Sequence, residues 1–211
     1  LLKKIQEEII MEIFKGSAVA LITPFDETGA IDWPAFDALL TFHLENQTDA
    51  LVITGTTGEV STLTDEEQIN LIKRAVEVVE GKIPIIAGTG INDTRHTIEL
   101  STKAQAAGAD ALLLVTPYYN KANHQGMLLH FTKIADAVSI PIILYHVPGR
   151  TGAVLSVEQV VELAQHPNIV GIKDATGDLS YTKALANQVD LEQFAIYSGN
   201  GKDDTEKRIE R

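Results

Sequence analysis

One lysine set inside an apolar, strand-like run carries the sharpest chemical signal in the chain. The run is Ile169-Val-Gly-Ile-Lys-Asp-Ala-Thr-Gly177, just past a Pro167-Asn168 turn. Side chains alternate along a strand, so Gly171, Lys173 and Ala175 share one face while Val170, Ile172 and Asp174 share the other. The lysine's neighbours on its own face are very small, which leaves room beside the amine for a small substrate. Burial strips water from an ammonium group, disfavours the charge and lowers the pKa. A neutral buried amine is the nucleophile that forms a Schiff base with a carbonyl compound. The competing reading is a strand-end lysine whose head reaches into water.

Three further segments, each following an apolar run, hold groups that could serve such an amine. Gly55-Thr-Thr-Gly-Glu59 offers consecutive backbone N–H groups and two hydroxyls with little bulk, which suits a small carboxylate; it also reads as a plain turn. Tyr145 stands near the end of a run in which alternation groups it with Ile143 and Val147, opposite Leu144 and His146. A phenol beside a reacting amine can shuttle protons if hydroxyl partners hold it; a core tyrosine with a satisfied hydroxyl is the alternative. Arg150 follows in a glycine-bracketed loop, placed either to fork onto a carboxylate or simply to sit in solvent. Tyr118 and Tyr119 form a pair of a kind that more often packs than catalyses.

The elements that must position these groups alternate regularly. Strands are expected at Ala18–Pro24, Ala50–Thr54, Pro84–Ala87, Ala111–Thr116, Pro141–Val147, in the lysine segment, and at Phe194–Tyr197. Helices are expected at Trp33–Asn46, Asp65–Val79, Thr94–Ala107, Gln125–Val138, Val157–Gln165 and Leu179–Val189. Asp32 reads as an N-cap, and Thr64 to Glu67 and Ser156 to Gln159 as capping boxes. Seven short apolar strands alternating with helices suit a parallel sheet covered by helices. Loops after strands carry Gly, Thr, Tyr and Arg, whereas loops before strands look like turns. That asymmetry favours a (β/α)8 TIM-type barrel, whose chemistry sits at the C-terminal strand ends. A doubly wound sheet would advertise a glycine-rich first loop, and Pro24-Phe-Asp-Glu-Thr-Gly29 does not resemble one. Residues 1–13, with Leu1, Leu2, Ile5, Ile9 and Ile13 spaced for one face, read as an extra amphipathic helix. Residues 14–200 read as the barrel and 201–211 as a charged tail or helix.

Composition bounds the function classes. The 211 residues carry 29 acidic against 17 basic side chains, a net charge of −12, which argues against a nucleic-acid surface. Without cysteine the chain has no disulfide, zinc-thiolate site or thiol chemistry, and it suits a reducing cytoplasm. No apolar run reaches the roughly 18 residues of a membrane span, and the N-terminal residues are too charged for a signal peptide. The six histidines show no i, i+4 ligand pair, so no metal is expected. Gly88-Thr-Gly90 lacks the rest of a dinucleotide fingerprint.

Taken together, Gly55–Glu59, Thr-Pro-Tyr-Tyr-Asn (116–120), Leu-Tyr-His-Val-Pro-Gly-Arg-Thr-Gly (144–152) and Gly171–Gly177 resemble the dihydrodipicolinate synthases. These belong to the class I pyruvate-dependent aldolase superfamily, together with N-acetylneuraminate lyase. The resemblance runs from about Phe14 to Gly199 with the motifs in family order. It implies a cytoplasmic lyase that condenses pyruvate with L-aspartate-4-semialdehyde at the entry to lysine and diaminopimelate biosynthesis. It also implies a homo-oligomer, dimer or tetramer, with no cofactor beyond the covalent lysine Schiff base. By this resemblance Lys173 forms the Schiff base, Tyr145 is the acid/base, and Thr56 and Tyr119 complete a proton relay. The second tyrosine of the pair reaches into a neighbouring subunit's site. The amides of Thr56 and Thr57, after Gly55, hold pyruvate's carboxylate, and Arg150 binds that of the aldehyde. Asp65, Gln68 and His96 stand where feedback-inhibited relatives carry other residues, so weak or absent lysine inhibition is expected.

The chain also departs from the resemblance. No eighth apolar run is found, so strand 8 and the C-terminal helical domain of the family are expected to be lacking. Residues 1–10 match nothing in the family, and His146 stands where Asn is common. Another pyruvate aldolase, or a shortened barrel that folds but turns over poorly, is therefore the alternative expectation.

Overall fold

Apolar runs of three to six residues, punctuated by Gly, Pro and Asn, become the strands, and the amphipathic stretches between them become helices. A computed structural model describes residues 13–200. The expected N-terminal helix, up to residue 12, and the 201–211 tail lie outside the described residues. The order is β1 (Ala18–Ala20), α1 (Trp33–Glu45), β2 (Ala50–Ile53), α2 (Asp65–Val79), β3 (Ile85–Gly88), α3 (Thr94–Ala106), β4 (Ala111–Val115) and α4 (His124–Ala137). There follow β5 (Ile142–His146), a one-turn α5 (Pro148–Thr151), α6 (Val157–Leu163), β6 (Ile169–Asp174), α7 (Leu179–Ala186) and β7 (Ala195–Ser198). The turn α5 and two 3-10 turns after β2, Thr56–Gly58 and Val60–Thr62, were not legible as runs.

Among the described residues the seven strands are all parallel and neighbour one another in chain order. A doubly wound sheet would reverse that order partway. Helix residues from α1 to α7, among them Phe36, Leu71, Phe131, Leu163 and Leu185, join Leu51, Ile85, Leu112, Leu144 and Ile172 of the strands in one cluster. The other sheet face carries Val52, Ile86, Leu113, Ile143 and Tyr145, with Phe14 packed among them. Helices on one face and an inner layer on the other make the wall of a TIM-type barrel.

Helix entries are set locally, as the sequence suggests. The Asp32 carboxylate accepts from Ala35 N–H, and both capping boxes form, Thr64 with Glu67 and Ser156 with Gln159. Strand alternation breaks once. Ile142 pairs with Ile169 but Ile143 pairs with Gly171, so Val170 is the extra residue of a bulge. Ile169 and Ile172 therefore both enter the helix-side core, and Val170 does not share their buried setting. The alternation resumes at Gly171 and carries Lys173 inward.

Candidate active site

Lys173 sits in a row that crosses four strands. Val115 is in register with Tyr145, Tyr145 with Lys173, and Lys173 with Tyr197. These positions are at or next to the C-terminal strand ends, where the loop residues gather. The Lys173 ammonium nitrogen lies 4.6 Å from the centre of the Tyr145 ring. Burial holds the lysine pKa below its ordinary value of 10.5. The stem is held too: a Cβ placed on Gly199 would stand 3.0 Å from Lys173 Cε and Cγ. The smallness of Gly171 has a different cause from the one read in sequence. A Cβ there would lie 2.7 Å from the Ala195 carbonyl, so the glycine admits the β7 backbone rather than a substrate.

The segment after β2 turns sharply to face this row. Thr54, a β-branched residue, adopts φ 56 in the left-handed region, a strained choice for its type. Its buried hydroxyl donates to the Ile53 carbonyl at 2.6 Å and to the Gly88 carbonyl at 3.0 Å. Gly88 must be glycine, since a Cβ would reach 2.5 Å from the Thr54 oxygen. Beyond this clamp Gly55 caps the 3-10 turn Thr56–Gly58, whose leading N–H groups have no carbonyl behind them in the turn. The Thr23 hydroxyl, from the loop after β1, donates to Gly58 O at 2.7 Å and steadies the far side.

Tyr145 is 8 % exposed. Burial pushes its phenol above the ordinary value of 10, while the Thr56 side chain as a hydrogen-bond partner and the Arg150 charge pull it back. Lys173, Tyr145, Thr56 and Arg150 therefore converge, with Gly55 and Thr57 in the same turn as Thr56. Arg150 itself is exposed on α5. Tyr119 does not converge within one chain. It is 89 % exposed, with φ 70, and its ring ends in solvent.

A cavity of about 670 Å³ opens below the lysine. It passes Ile143, Leu113 and Ile86 and reaches Ser17 and Asp49 near the opposite strand ends. It is thus the barrel interior, not the mouth formed by Thr56, Tyr145 and Arg150. Tyr197 and Phe14 line it, stacked at 4.4 Å, and the Tyr197 hydroxyl donates to Phe14 O at 3.3 Å. Tyr197 was missed in sequence although it bears the same signal as Tyr145, a tyrosine near a strand end. Thr54 left no signal, because its role lies in a backbone angle.

Fold and site together define a (β/α)-barrel protein with an amine and a phenol paired at the C-terminal ends of adjacent strands. The family model for the Dihydrodipicolinate synthetase family matches residues 13–209, and the chain belongs to that family. The 4-hydroxy-tetrahydrodipicolinate synthase of Macrococcus caseolyticus is 53 % identical over 187 residues, which cover 89 % of this chain and 62 % of the relative. That of Pseudomonas aeruginosa is 52 % identical over 185 residues, 88 % of this chain and 63 % of the relative. Among solved structures, the chloride-inhibited dihydrodipicolinate synthase of Acinetobacter baumannii complexed with pyruvate superposes with a TM-score of 0.89 at 50 % identity. That match covers 91 % of this chain and 66 % of the other. The Aquifex aeolicus dihydrodipicolinate synthase gives 0.88 at 42 %, covering 90 % and 64 %. The chain spans just under two thirds of the length of these relatives.

Proposed function

We propose that the chain carries the active site of a Schiff-base lyase that condenses pyruvate with L-aspartate-4-semialdehyde to 4-hydroxy-tetrahydrodipicolinate. The observation that carries this reading is the buried Lys173 amine in register with Tyr145, with Thr56 and Arg150 beside the phenol. The neutral amine attacks the keto carbon of pyruvate, water leaves, and an iminium forms. The iminium draws electrons from the pyruvate methyl, which loses a proton, and the resulting enamine attacks the aldehyde carbon. The semialdehyde's own amine then adds to the iminium carbon and displaces Lys173, which closes the ring and frees the product. Tyr145 moves protons in these steps, with Thr56 as its hydroxyl partner. The open amides of Thr56 and Thr57 receive pyruvate's carboxylate. Arg150 receives the carboxylate of the aldehyde. Tyr119, displayed in solvent, completes the relay in a neighbouring subunit of a homo-oligomer. No helix among the described residues is long and apolar enough to cross a membrane, and the absence of cysteine suits a cytoplasmic enzyme.

A second reading, another pyruvate aldolase with a different aldehyde, keeps every role except that of Arg150. Supplying pyruvate with either L-aspartate-4-semialdehyde or a sugar aldehyde, and detecting product by mass spectrometry, separates the two. Product from the semialdehyde alone is expected; product from the sugar alone would favour the second reading.

A further inference from the structure

Directly after the Tyr145–Lys173 pair, β5 and β6 place a second register pair, His146 and Asp174. It faces the other way, toward the helices. Both side chains are fully buried, and the His146 ring lies 5.0 Å from the Tyr181 ring of α7. Asp174 is held there by donors that include Thr176 N–H at 3.0 Å, the Thr176 hydroxyl at 3.1 Å and the Thr182 hydroxyl at 2.8 Å. His146 Nε2 accepts from Leu155 N–H at 3.1 Å. An accepting Nε2 carries no proton, so the neutral ring bears its proton on Nδ1. That nitrogen is 3.8 Å from Asp174 Oδ1 and hydrogen-bonds to nothing among the described residues. The carboxylate thus favours the tautomer that leaves Nε2 free to accept.

Leu155 closes the segment that begins with α5 and carries Arg150. The near side of that segment has its own ties. Arg150 N–H donates to Val147 O at 2.9 Å, and the Thr116 hydroxyl meets the Thr151 hydroxyl at 3.3 Å. The Leu155 side chain is anchored in the outer core. Burial of that side chain fixes its depth, but its buried amide needs an acceptor to fix its direction, and the imidazole is the one it has.

We propose that His146 is a positioning residue for the second substrate: it fixes the far end of the Arg150 loop through the Leu155 amide, in the tautomer set by Asp174. This rests on the role given to Arg150 under the proposed function. It places the imidazole on the opposite side of the sheet from the reacting amine, so it acts through the loop and touches neither substrate.

Two readouts test it on the full chain. The first is amide hydrogen exchange at Leu155, which needs no activity. Protection is expected to fall in His146→Ala and His146→Asn and to return in His146→Gln, whose side-chain oxygen reaches the Nε2 position. The second is kinetic. His146→Ala is expected to raise the KM for L-aspartate-4-semialdehyde by about tenfold, since small misplacements of positioning groups are costly. Borohydride trapping of pyruvate on Lys173 should stay near the parent level, and His146→Gln should restore the KM. If His146→Ala does not fold, Gln against Asn decides, with Gln near the parent and Asn impaired. The proposal is overturned if Leu155 protection is indifferent to residue 146. It is also overturned if pyruvate trapping falls together with aldehyde binding, or if Gln and Asn behave alike. A parent chain that traps no pyruvate sinks the proposed function and this kinetic role with it, while the exchange result still reports on the loop tie.

Discussion

At the scale of single residues, the pairing of Lys173 with Tyr145 depends on two opposed effects of one environment. Burial lowers the pKa of the amine and raises that of the phenol, so both are biased toward neutrality. The neutral amine can attack, and the neutral phenol can donate. The rate of pyruvate trapping should therefore rise with pH to a midpoint below the ordinary lysine value of 10.5, read by mass spectrometry across a pH series. A midpoint at or above that value would contradict the burial argument. Tyr145→Phe should still form the adduct but lose about a hundredfold or more in turnover, the usual range for a general acid–base group. A third group titrates without touching the chemistry. His130, buried between α3 and α4 with Nδ1 at 2.9 Å from the Thr94 hydroxyl, has its pKa lowered from 6.5 to about 4, mainly by burial and against the pull of Asp93. A depressed histidine pKa means the fold prefers the neutral ring. Its stability contribution is complete above about pH 6.5 and is lost as pH falls toward 4. The size is of order 3 kcal/mol. Urea unfolding of His130→Gln against the parent should show a shallower loss of stability over that window.

At the scale of elements, the sequence was most readable where a rule is local. The bounds of α2 are those its periodicity implied, because Thr64 and Glu67 announce its start and Leu71, Ile72, Ala75 and Val79 mark one face. Thr64→Ala should cost about 1 kcal/mol in a denaturant titration, the usual value of a lost N-cap. Strand existence was equally clear from apolar runs, though β1 is shorter than Ala18–Pro24 because only Ala18–Ala20 finds ladder partners on β2. What could not be read depends on contacts far apart in the chain. The Val170 bulge is visible only when β5 lies beside β6. The strained Thr54 is explained only by the Gly88 carbonyl it binds, and Gly171 only by the Ala195 carbonyl that crowds it. Gly171→Ala should accordingly lower stability by about 1–3 kcal/mol, the usual cost of overpacking. Thermal unfolding would reveal it, and a neutral result would show that β7 can give way.

At the scale of the whole molecule, the seven parallel strands of the described residues hold the amine inward and leave the loops after the strands to complete the site. Four separated motifs make the barrel legible in the sequence, and Lys173, Tyr145, Thr56 and Arg150 meet at one end of it. Tyr119, which the family resemblance expects to serve a neighbouring subunit, is exposed within one chain. Asp65, Gln68 and His96, which differ from the residues expected at these positions in feedback-inhibited relatives, make contacts of their own. His96 Nε2 lies 2.8 Å from Asp65 Oδ2, and the Gln68 amide donates to Leu63 O at 3.3 Å. Lysine titration should leave condensation unaffected at low concentration, and half-inhibition there would reverse that expectation. Every step proposed above requires a covalent bond between one amine and a keto acid. Borohydride reduction in the presence of pyruvate, followed by peptide mass spectrometry of the parent and of Lys173→Ala, examines that bond. A reduced pyruvate adduct on Lys173 is expected in the parent and none in the variant; a folded parent without an adduct, or one modified at another lysine, would contradict the Schiff-base mechanism.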